Sequence, residues 1–474
     1  MKAVTGMRLL RSMMAAAVIG SLSGVAPVRA DTLADALVGA YVSSGLIEQN
    51  RALLRAADED VAGATALLRP ILNWSADMTR DFGDTRTDTI VQTQGIESTT
   101  ASINVTLDML LWDAGASRLG VDVAKETVLA TRQNLVAVEQ QVLFRAVQAF
   151  MNLRAAIEFV EVRQNNLRLL SEELRAAQDR FEVGEVTRTD VALAEAAQAE
   201  ARSGLAQAQG NLISAREEYR NATGLEPGRV DVPPSTPRVD SNVDAAKAVA
   251  LRLHPNILAA QHQVAAAELA ILRAKAQIAP SLRAGGRLGY SERTDSSDAF
   301  TRSGSIGLEL GGPIYQGGAL ASNVRRAMAV RDSERANLYT VQRDISQNVG
   351  AAYAELAAAR ASLASAEQGI EASNIAFEGV REEATLGART TLDVLNAEQD
   401  LLDAVNTRIE VQTQLYVAAY GVLSATGQLT ARDLGLNVPQ YDPAAYYNLA
   451  KDAPVSKSRQ GKQLDRVLER LQRQ

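Results

Sequence analysis

The stretch Gly184-Glu-Val-Thr-Arg-Thr-Asp-Val191 decides the fold, because its pattern recurs 203 residues later in Gly387-Ala-Arg-Thr-Thr-Leu-Asp-Val394. Both stretches read G-x-x-T-x-x-D-V. The glycine is typical of a helix end, and T-x-x-D matches a capping box, in which the two side chains satisfy free amides at a helix start. Each stretch therefore marks a tip where one helix ends and another begins, which predicts two similar helical hairpins.

The repeat extends far beyond the two tips. Shifted by 203 residues, 112–224 aligns with 315–427 without a gap, and Gly115 meets Gly318. A constant register over this length indicates an internal duplication. The sequence predicts, in chain order, a signal peptide at 1–30, a first repeat at 31–240 with a helical hairpin at 114–224 and a proline-containing linker at 225–240, a second repeat at 241–440 with a helical hairpin at 317–427, and a C-terminal tail at 441–474. Within this tail, 451–474 is basic and polar and is expected to be mostly disordered with one short helix.

The helices of these hairpins are predicted to be very long. Residues 121–183 contain neither Gly nor Pro, and their apolar side chains recur at steps of mainly three and four, the spacing of a coiled-coil seam. A helix from about 114 to 182 would be roughly 100 Å long at 1.5 Å per residue. A single sheet cannot cover such a length, so this helix is expected to pack along other long helices.

Four segments alternate apolar and polar residues, which predicts strands near 71–80, 100–110, 281–291 and 302–312, joined by polar loops at 80–99 and 292–302. The polar faces carry charges such as Asp77, Arg287 and Glu309, which favours a water-filled lumen behind a lipid-facing surface. Half-buried strands of a soluble sheet are the alternative. In a membrane, four strands cannot close an open bore and leave two unpaired edges, so this interpretation requires an oligomer.

Composition excludes several classes of protein. The net charge of −7 and the lack of a basic cluster in the body of the chain argue against nucleic-acid binding, although the tail from Lys451 is basic. The absence of cysteine rules out disulfides, thiolate metal sites and a lipidated cysteine. The only two histidines, His254 and His262, form no metal motif, so we predict neither cofactor nor metal nor enzymatic activity.

A basic start, an apolar stretch and the small-residue site Val28-Arg-Ala30 predict a signal peptide cleaved before Asp31. The chain is therefore expected to be exported. In the exported part, the acidic loop residues Asp81, Asp84 and Asp88 are weak candidates for a surface calcium site.

The sequence resembles the TolC-type outer-membrane channel family over nearly all of its length to about residue 440. The motifs that carry the resemblance are Arg180-Phe-Glu-Val-Gly184 with Thr189-Asp-Val191, Leu310-Gly-Gly-Pro-Ile-Tyr-Gln-Gly-Gly318, and Leu386-Gly-Ala-Arg-Thr-Thr-Leu-Asp-Val-Leu395. The resemblance implies an α+β membrane protein that is mostly long α-helices. In a homotrimer, four transmembrane strands per chain would complete a shared 12-stranded β-barrel, and the helices would form a coiled-coil α-barrel in the periplasm.

The resemblance also implies site residues. A gate at the periplasmic helix tips would join Thr189 and Asp190 of the first hairpin to Arg389 of the second, with Ala384 in place of the family's tyrosine. The constriction would carry Asp393, with Asn396 in place of a second aspartate, and three carboxylates per trimer instead of six predict weaker cation selectivity. Alternatively, Asp190 and Asp393 are simply capping acids and Arg389 is a solvated charge.

Trp112 and Tyr315 occupy equivalent positions where strand gives way to helix, which predicts anchors at the membrane interface, with a ligand site as the alternative.

The family function implied is a passive exit duct in the outer membrane. Its partners would be outer-membrane lipid, a periplasmic adaptor (membrane fusion) protein and an inner-membrane ABC or proton-driven pump. Its cargo would be a secreted protein in type I secretion or small toxic molecules in efflux. The alternative is a periplasmic adaptor with a coiled-coil hairpin, which would carry a single hairpin and a compact β-domain instead of two repeats.

Overall fold

The computed structural model describes residues 32–87, 90–231, 233, 235–295 and 299–471. The predicted signal peptide at 1–30 lies outside these residues. The elements, in chain order, are α1 Leu33–Ser43, α2 Gly45–Ala66, β1 Ile71–Thr87, β2 Ile90–Trp112, α3 Ala116–Glu182, α4 Arg188–Thr223, α5 Val243–Leu253, α6 Pro255–Ala276, β3 Ser281–Arg293, β4 Phe300–Gly311, α7 Ala319–Thr385, α8 Thr391–Ala425, α9 Pro443–Ala450 and α10 Arg459–Leu471.

The two longest helices, α3 and α7, each have 67 residues, so each is about 100 Å long. Each begins after a glycine in the left-handed conformation, Gly115 with φ 86° and Gly318 with φ 87°, which turns the chain sharply out of the sheet. At the far end α3 pairs with α4, and α7 pairs with α8. Two hairpins of similar dimensions therefore project from the same end of one sheet.

The main core surrounds the first long helix. Helix α3 packs against α2, α4, α6 and α8, whereas α7 has far fewer buried side chains. The largest fully buried members of this core are Ile47, Leu54, Leu143, Phe150, Met151, Leu153, Tyr219 and Leu429. Because these residues come from α2, α3, α4 and the segment after α8, the core ties both ends of the chain to α3.

Among the described residues, the four strands form one antiparallel sheet in the order β1-β2-β3-β4. The register aligns the apolar residues across all four strands, so one face is apolar from edge to edge. One row is Leu72, Leu107, Gly286 and Ile306, and the next is Trp74, Val105, Leu288 and Gly304. The opposite face is polar, and there Arg283 pairs with Asp108 at 3.0 Å and Arg287 donates to Asn104 at 3.2 Å.

The strands are longer than predicted in the first repeat. The interval 80–99, expected to be a loop, is mostly strand, with Arg80 opposite Thr99 and Gly83 opposite Ile96. The alternation of apolar residues fades there, but backbone pairing needs no apolar side chains, so the ladder continues beyond the apolar band. In the second repeat the connection is short, because β3 ends at Arg293 and β4 begins at Phe300.

The C-terminal tail contains the one short helix expected in 451–474, and a further helix precedes it. It forms α9 and α10, and Tyr446 on α9 donates to Glu59 on α2 at 2.7 Å. Arg69, which precedes β1, donates to the carbonyl of Ala453 at 2.9 Å. Long-range contacts of this kind have no signature in local sequence, so these two contacts were not predicted.

A buried carboxylate lies in the same region. Asp58 on α2 is fully buried, and neither of its side-chain oxygens has a hydrogen-bond partner among the described residues. Burial raises the pKa of Asp58 to about 6, partly offset by Arg132 and reinforced by Glu59. The folded chain therefore binds a proton on the Asp58 carboxyl more tightly than the unfolded chain does. The stability that this bound proton confers is lost as the pH rises from about 3.8 through about 6.

We therefore expect Asp58→Asn to stabilise the protein at pH 8, by about 2 kcal/mol, and to have little effect at pH 4. Thermal unfolding followed by helical circular dichroism at both pH values measures this difference. Asp60→Asn, at an exposed position on the same helix, is the control and should change neither value. Equal unfolding temperatures of Asp58→Asn and the parent chain at pH 8 would contradict the prediction.

Candidate gate at the helix tips

The two helix tips are built alike. At the start of α4, the Oδ2 of Asp190 accepts hydrogen bonds from the backbone N–H of Thr187 at 2.9 Å and from its hydroxyl at 2.7 Å. At the start of α8, Asp393 accepts the same two bonds from Thr390 at 2.9 and 2.8 Å. Both aspartates therefore cap their helices, as the capping-box pattern predicts.

Both capping acids are held in the charged form. The hydroxyl and then the backbone N–H of Thr187 lower the pKa of Asp190. The backbone N–H of Thr390, its hydroxyl and the charge of Arg389 lower the pKa of Asp393. Each tip thus carries a carboxylate at neutral pH, so any role of Asp393 at a constriction would be that of a fixed negative charge.

The predicted contact between the hairpins is not formed in the single chain. Arg389 donates to the Oε2 of Glu383 at 2.8 Å, within its own hairpin, and this pairing raises the pKa of Arg389. On the other tip, Thr189 is exposed and Asp190 is half-buried. Glu383 lies only six residues before Arg389 across the tight turn, so it is the nearer partner when no second chain is present.

The remaining predicted residues also have defined places. Asp393 is half-buried and Asn396 is exposed, three residues apart on one face of α8, while Ala384 is half-buried near the end of α7. Trp112 ends β2 and is 50% exposed, and Tyr315 follows β4 and is 84% exposed. Their shared location at the strand–helix junction is the one expected of interface anchors, which stay a prediction.

The residues considered for metal binding are the two histidines and the three aspartates Asp81, Asp84 and Asp88. His262 lies 2.8 Å from Glu126, and His254 accepts from the backbone N–H of Asn256 at the start of α6. No three His, Cys, Asp or Glu residues within the described ranges form a group that could hold a metal ion. Asp81 and Asp84 lie on β1, and Asp88 lies outside the described residues.

Sequence reasoning missed a polar contact between the two hairpins. Asn166 on α3 donates to the Oε1 of Glu398 on α8 at 2.9 Å, and both side chains are buried. A signal was present, because Glu398 stands between the buried Val394 and Leu402 at steps of four. A charged residue at an apolar seam position is the feature that could have identified it.

Within the described residues, no helix is long and apolar enough to cross a membrane.

Comparison with known proteins agrees with this architecture. The family model for outer membrane efflux protein matches residues 40–225 and 248–428. The chain is 34% identical to the outer membrane efflux protein BepC of Brucella suis over 94% of this chain and 97% of that protein. It is 23% identical to the outer membrane protein TolC of Escherichia coli over 87% of this chain and 86% of that protein.

Solved structures show the same fold. The CmeC outer membrane channel of Campylobacter jejuni superposes with a TM-score of 0.75 at 17% identity, covering 89% of this chain and 90% of that one. The outer membrane protein VceC of Vibrio cholerae gives 0.70 at 19% identity, covering 83% and 96%. The resemblance to TolC-type channels is thus confirmed, as is the location in the outer membrane with the helices in the periplasm. The chain belongs to the outer membrane efflux protein family.

Proposed function

We propose that the chain is the passive, non-enzymatic exit duct of a tripartite export system and that it works as a homotrimer. The observation that carries this proposal is the sheet. Within the chain, β1 and β4 each pair on one side only, and the sheet has one continuous apolar face. Unpaired backbone groups are not tolerated in lipid, so each edge requires a partner. Three copies would supply 12 strands, enough to enclose a bore.

The apolar face is exposed in the single chain to an extent that water would not favour. Its exposed fractions include 70% for Leu72, 76% for Trp74, 67% for Leu288 and 96% for Ile306. Contact with lipid would remove this surface from water. The polar face, with Arg283, Asp108 and Arg287, would line the water-filled bore.

The helices support the same assembly. Apolar side chains on the second hairpin remain exposed, including Ile375 at 65%, Leu386 at 84% and Leu392 at 47%. The first hairpin, by contrast, is packed on several sides by its own chain. Neighbouring copies would cover the second hairpin and close a hollow cylinder in the periplasm. The alternative of a periplasmic adaptor finds no support in the family match.

The cargo follows from the relatives only as a proposal. Alkaline protease secretion protein AprF of Pseudomonas aeruginosa is 25% identical over 61% of this chain, and BepC is described as an efflux protein. We propose that the duct passes secreted protein or small toxic molecules. It would receive them from a periplasmic adaptor and an inner-membrane ABC or proton-driven pump.

Reconstitution tests the duct. The purified chain is expected to assemble as a trimer in detergent and to form pores of low conductance in planar bilayers, because closed tips restrict the bore. Mass determination in detergent and single-channel recording measure the two properties. A monomer that forms no pore would overturn the proposal.

The gate gives a sharper prediction. If Asp190 pairs with Arg389 in the assembled protein, then Asp190→Asn and Arg389→Ala should each raise the conductance several-fold, since both remove the pairing charge. The amide oxygen of an asparagine at this position can still accept the backbone N–H of Thr187, so Asp190→Asn keeps this bond of the capping box at the start of α4. Glu383→Ala is the control. Should it open the pore as Arg389→Ala does while Asp190→Asn stays closed, the pairing within the hairpin, and not the one between hairpins, would be the closure contact.

A further inference from the structure

The two hairpins meet where α3 of the first packs against α8 of the second, a contact surface called the seam below. The seam contains a buried carboxyl group, that of Glu398. Glu398 is 4% exposed, and Asn166 opposite it is 7% exposed. One carboxylate oxygen accepts the Asn166 amide at 2.9 Å, while the other is buried with no hydrogen-bond partner among the described residues. A buried charge with one unsatisfied oxygen is costly, so this site favours the protonated, neutral acid.

The charged groups that face Glu398 come from the two neighbouring helices. Glu173 on α3 and Arg381 on α7 form an ion pair of 3.6 Å with each other, and both act on Glu398. The net effect is a pKa of about 7 for Glu398: burial is the main cause that raises it and Glu173 acts in the same direction, while the Asn166 hydrogen bond and Arg381 oppose them. The carboxyl is thus poised to titrate near neutral pH, whereas the tip acid Asp393 has a lowered pKa.

This contact lies near the hairpin tips. Glu398 is eight residues after the Thr390 cap, about 12 Å along α8 from the tip. A second ion pair between hairpins, Arg408 to Glu158 at 3.7 Å, lies further along the same seam. Glu195, which corresponds to Glu398 in the first repeat, is exposed. The buried carboxyl is therefore a property of the second hairpin only.

We propose that the Asn166–Glu398 contact is a proton-sensitive latch between the two hairpins: protonated Glu398 holds α8 against α3 and keeps the duct closed, and ionised Glu398 weakens this seam. The latch rests on the proposed duct function. It is separate from the tip residues, because it lies within the helices and uses neither Asp190 nor Arg389.

The direction of the pH effect follows from linkage. When the seam opens, Glu398 meets water and its pKa returns toward the ordinary value of 4.5. The closed state thus binds the proton more tightly than the open state. Raising the pH from 5.5 to 8 should increase the ratio of open to closed channels at least about tenfold. The increase should level off near pH 8, about one unit above the pKa of about 7, where Glu398 is ionised in both states.

Single-channel recording of the full chain between pH 5.5 and 8 tests the latch. Two variants are compared, one expected to favour the closed channel and the other the open channel. Glu398→Gln mimics the protonated acid and should stay closed at every pH. Glu398→Ala leaves Asn166 unpaired and should open more readily at every pH. Asp400→Asn, at an exposed position on the same helix, should keep the pH response of the parent chain.

A second readout follows seam separation without conductance. The chain has no cysteine, so Val394→Cys introduces a single thiol beside the seam, where Val394 is 4% exposed. Its reaction with a maleimide, normalised at each pH to that of Gln399→Cys at an exposed position, should accelerate about tenfold from pH 5.5 to 8. Adding Glu398→Gln should abolish that acceleration.

The outcomes separate the latch from the duct. If the chain forms pores but Glu398→Gln has the same pH profile as the parent chain, the latch is overturned and the duct is not. If no variant forms pores, the duct proposal fails, and the thiol reaction still tests seam opening. Helical circular dichroism and trimer mass of each variant identify a change that merely prevents folding.

Discussion

A chain carrying Ile306→Arg is expected to be lost from the outer membrane, whereas Ser303→Arg should insert normally. Among the described side chains of the sheet, Ile306 is the most exposed apolar one at 96%, and it lies midway along the edge strand β4 on the apolar face, opposite Gly286. An arginine on the lipid side of a barrel costs about 2 to 4 kcal/mol at the membrane midplane. If the chain assembles as a trimer, this cost is incurred three times.

Ser303 is a matched control because it lies on the same strand, is exposed, and points to the polar face opposite Gly289. An arginine there would extend into the water-filled bore. Quantifying both variants in washed outer-membrane fractions measures the difference. Normal insertion of Ile306→Arg, or equal loss of both variants, would mean that the apolar face does not meet lipid.

The second large effect is expected at a glycine in the periplasmic region. Gly39 on α1 lies against the end of α4, and a Cβ added there would come within 2.8 Å of the carbonyl oxygen of Thr223 and 2.7 Å of Leu225. The same carbonyl accepts a hydrogen bond from Ser43 at 2.9 Å. Gly39→Val should therefore force α1 away from α4 and cost about 3 kcal/mol, as overpacking of a rigid contact does.

Limited proteolysis measures this displacement, because a released α1 becomes a cleavage site within Leu33–Ser43. Thermal unfolding provides the energetic measure. Gly45→Val is the control, since no heavy atom lies within 4 Å of a Cβ at that position. The prediction fails if the two variants are equally resistant to protease and unfold at the same temperature.

The sequence revealed the features that depend on local pattern. Alternation located the four strands, and the T-x-x-D boxes located both helix starts, because side-chain periodicity and capping act within a few residues. Strand ends were less predictable. At 80–99 the chain continues in strand after its apolar residues stop alternating, since pairing there depends on the partner strand and not on the side chains.

Contacts distant in sequence could not be predicted from one chain without a structure. Arg389 was expected to reach the first hairpin, but in the single chain it pairs with Glu383, which no periodicity indicates. The α9–α2 contact through Tyr446 and Glu59 joins residues nearly 400 positions apart. The buried Glu398 did break the apolar spacing of α8, but its partner Asn166 becomes evident only when both helices are placed side by side.

The equal length of α3 and α7 limits how this protein can evolve. Each helix has 67 residues and begins at a glycine beside the same sheet, so a deletion in only one would move its tip by 1.5 Å per residue relative to the other. It would also shift seam partners such as Asn166 and Glu398 out of register. We therefore expect length changes to be tolerated only as paired events in both repeats, because the same helix length is encoded twice in one chain.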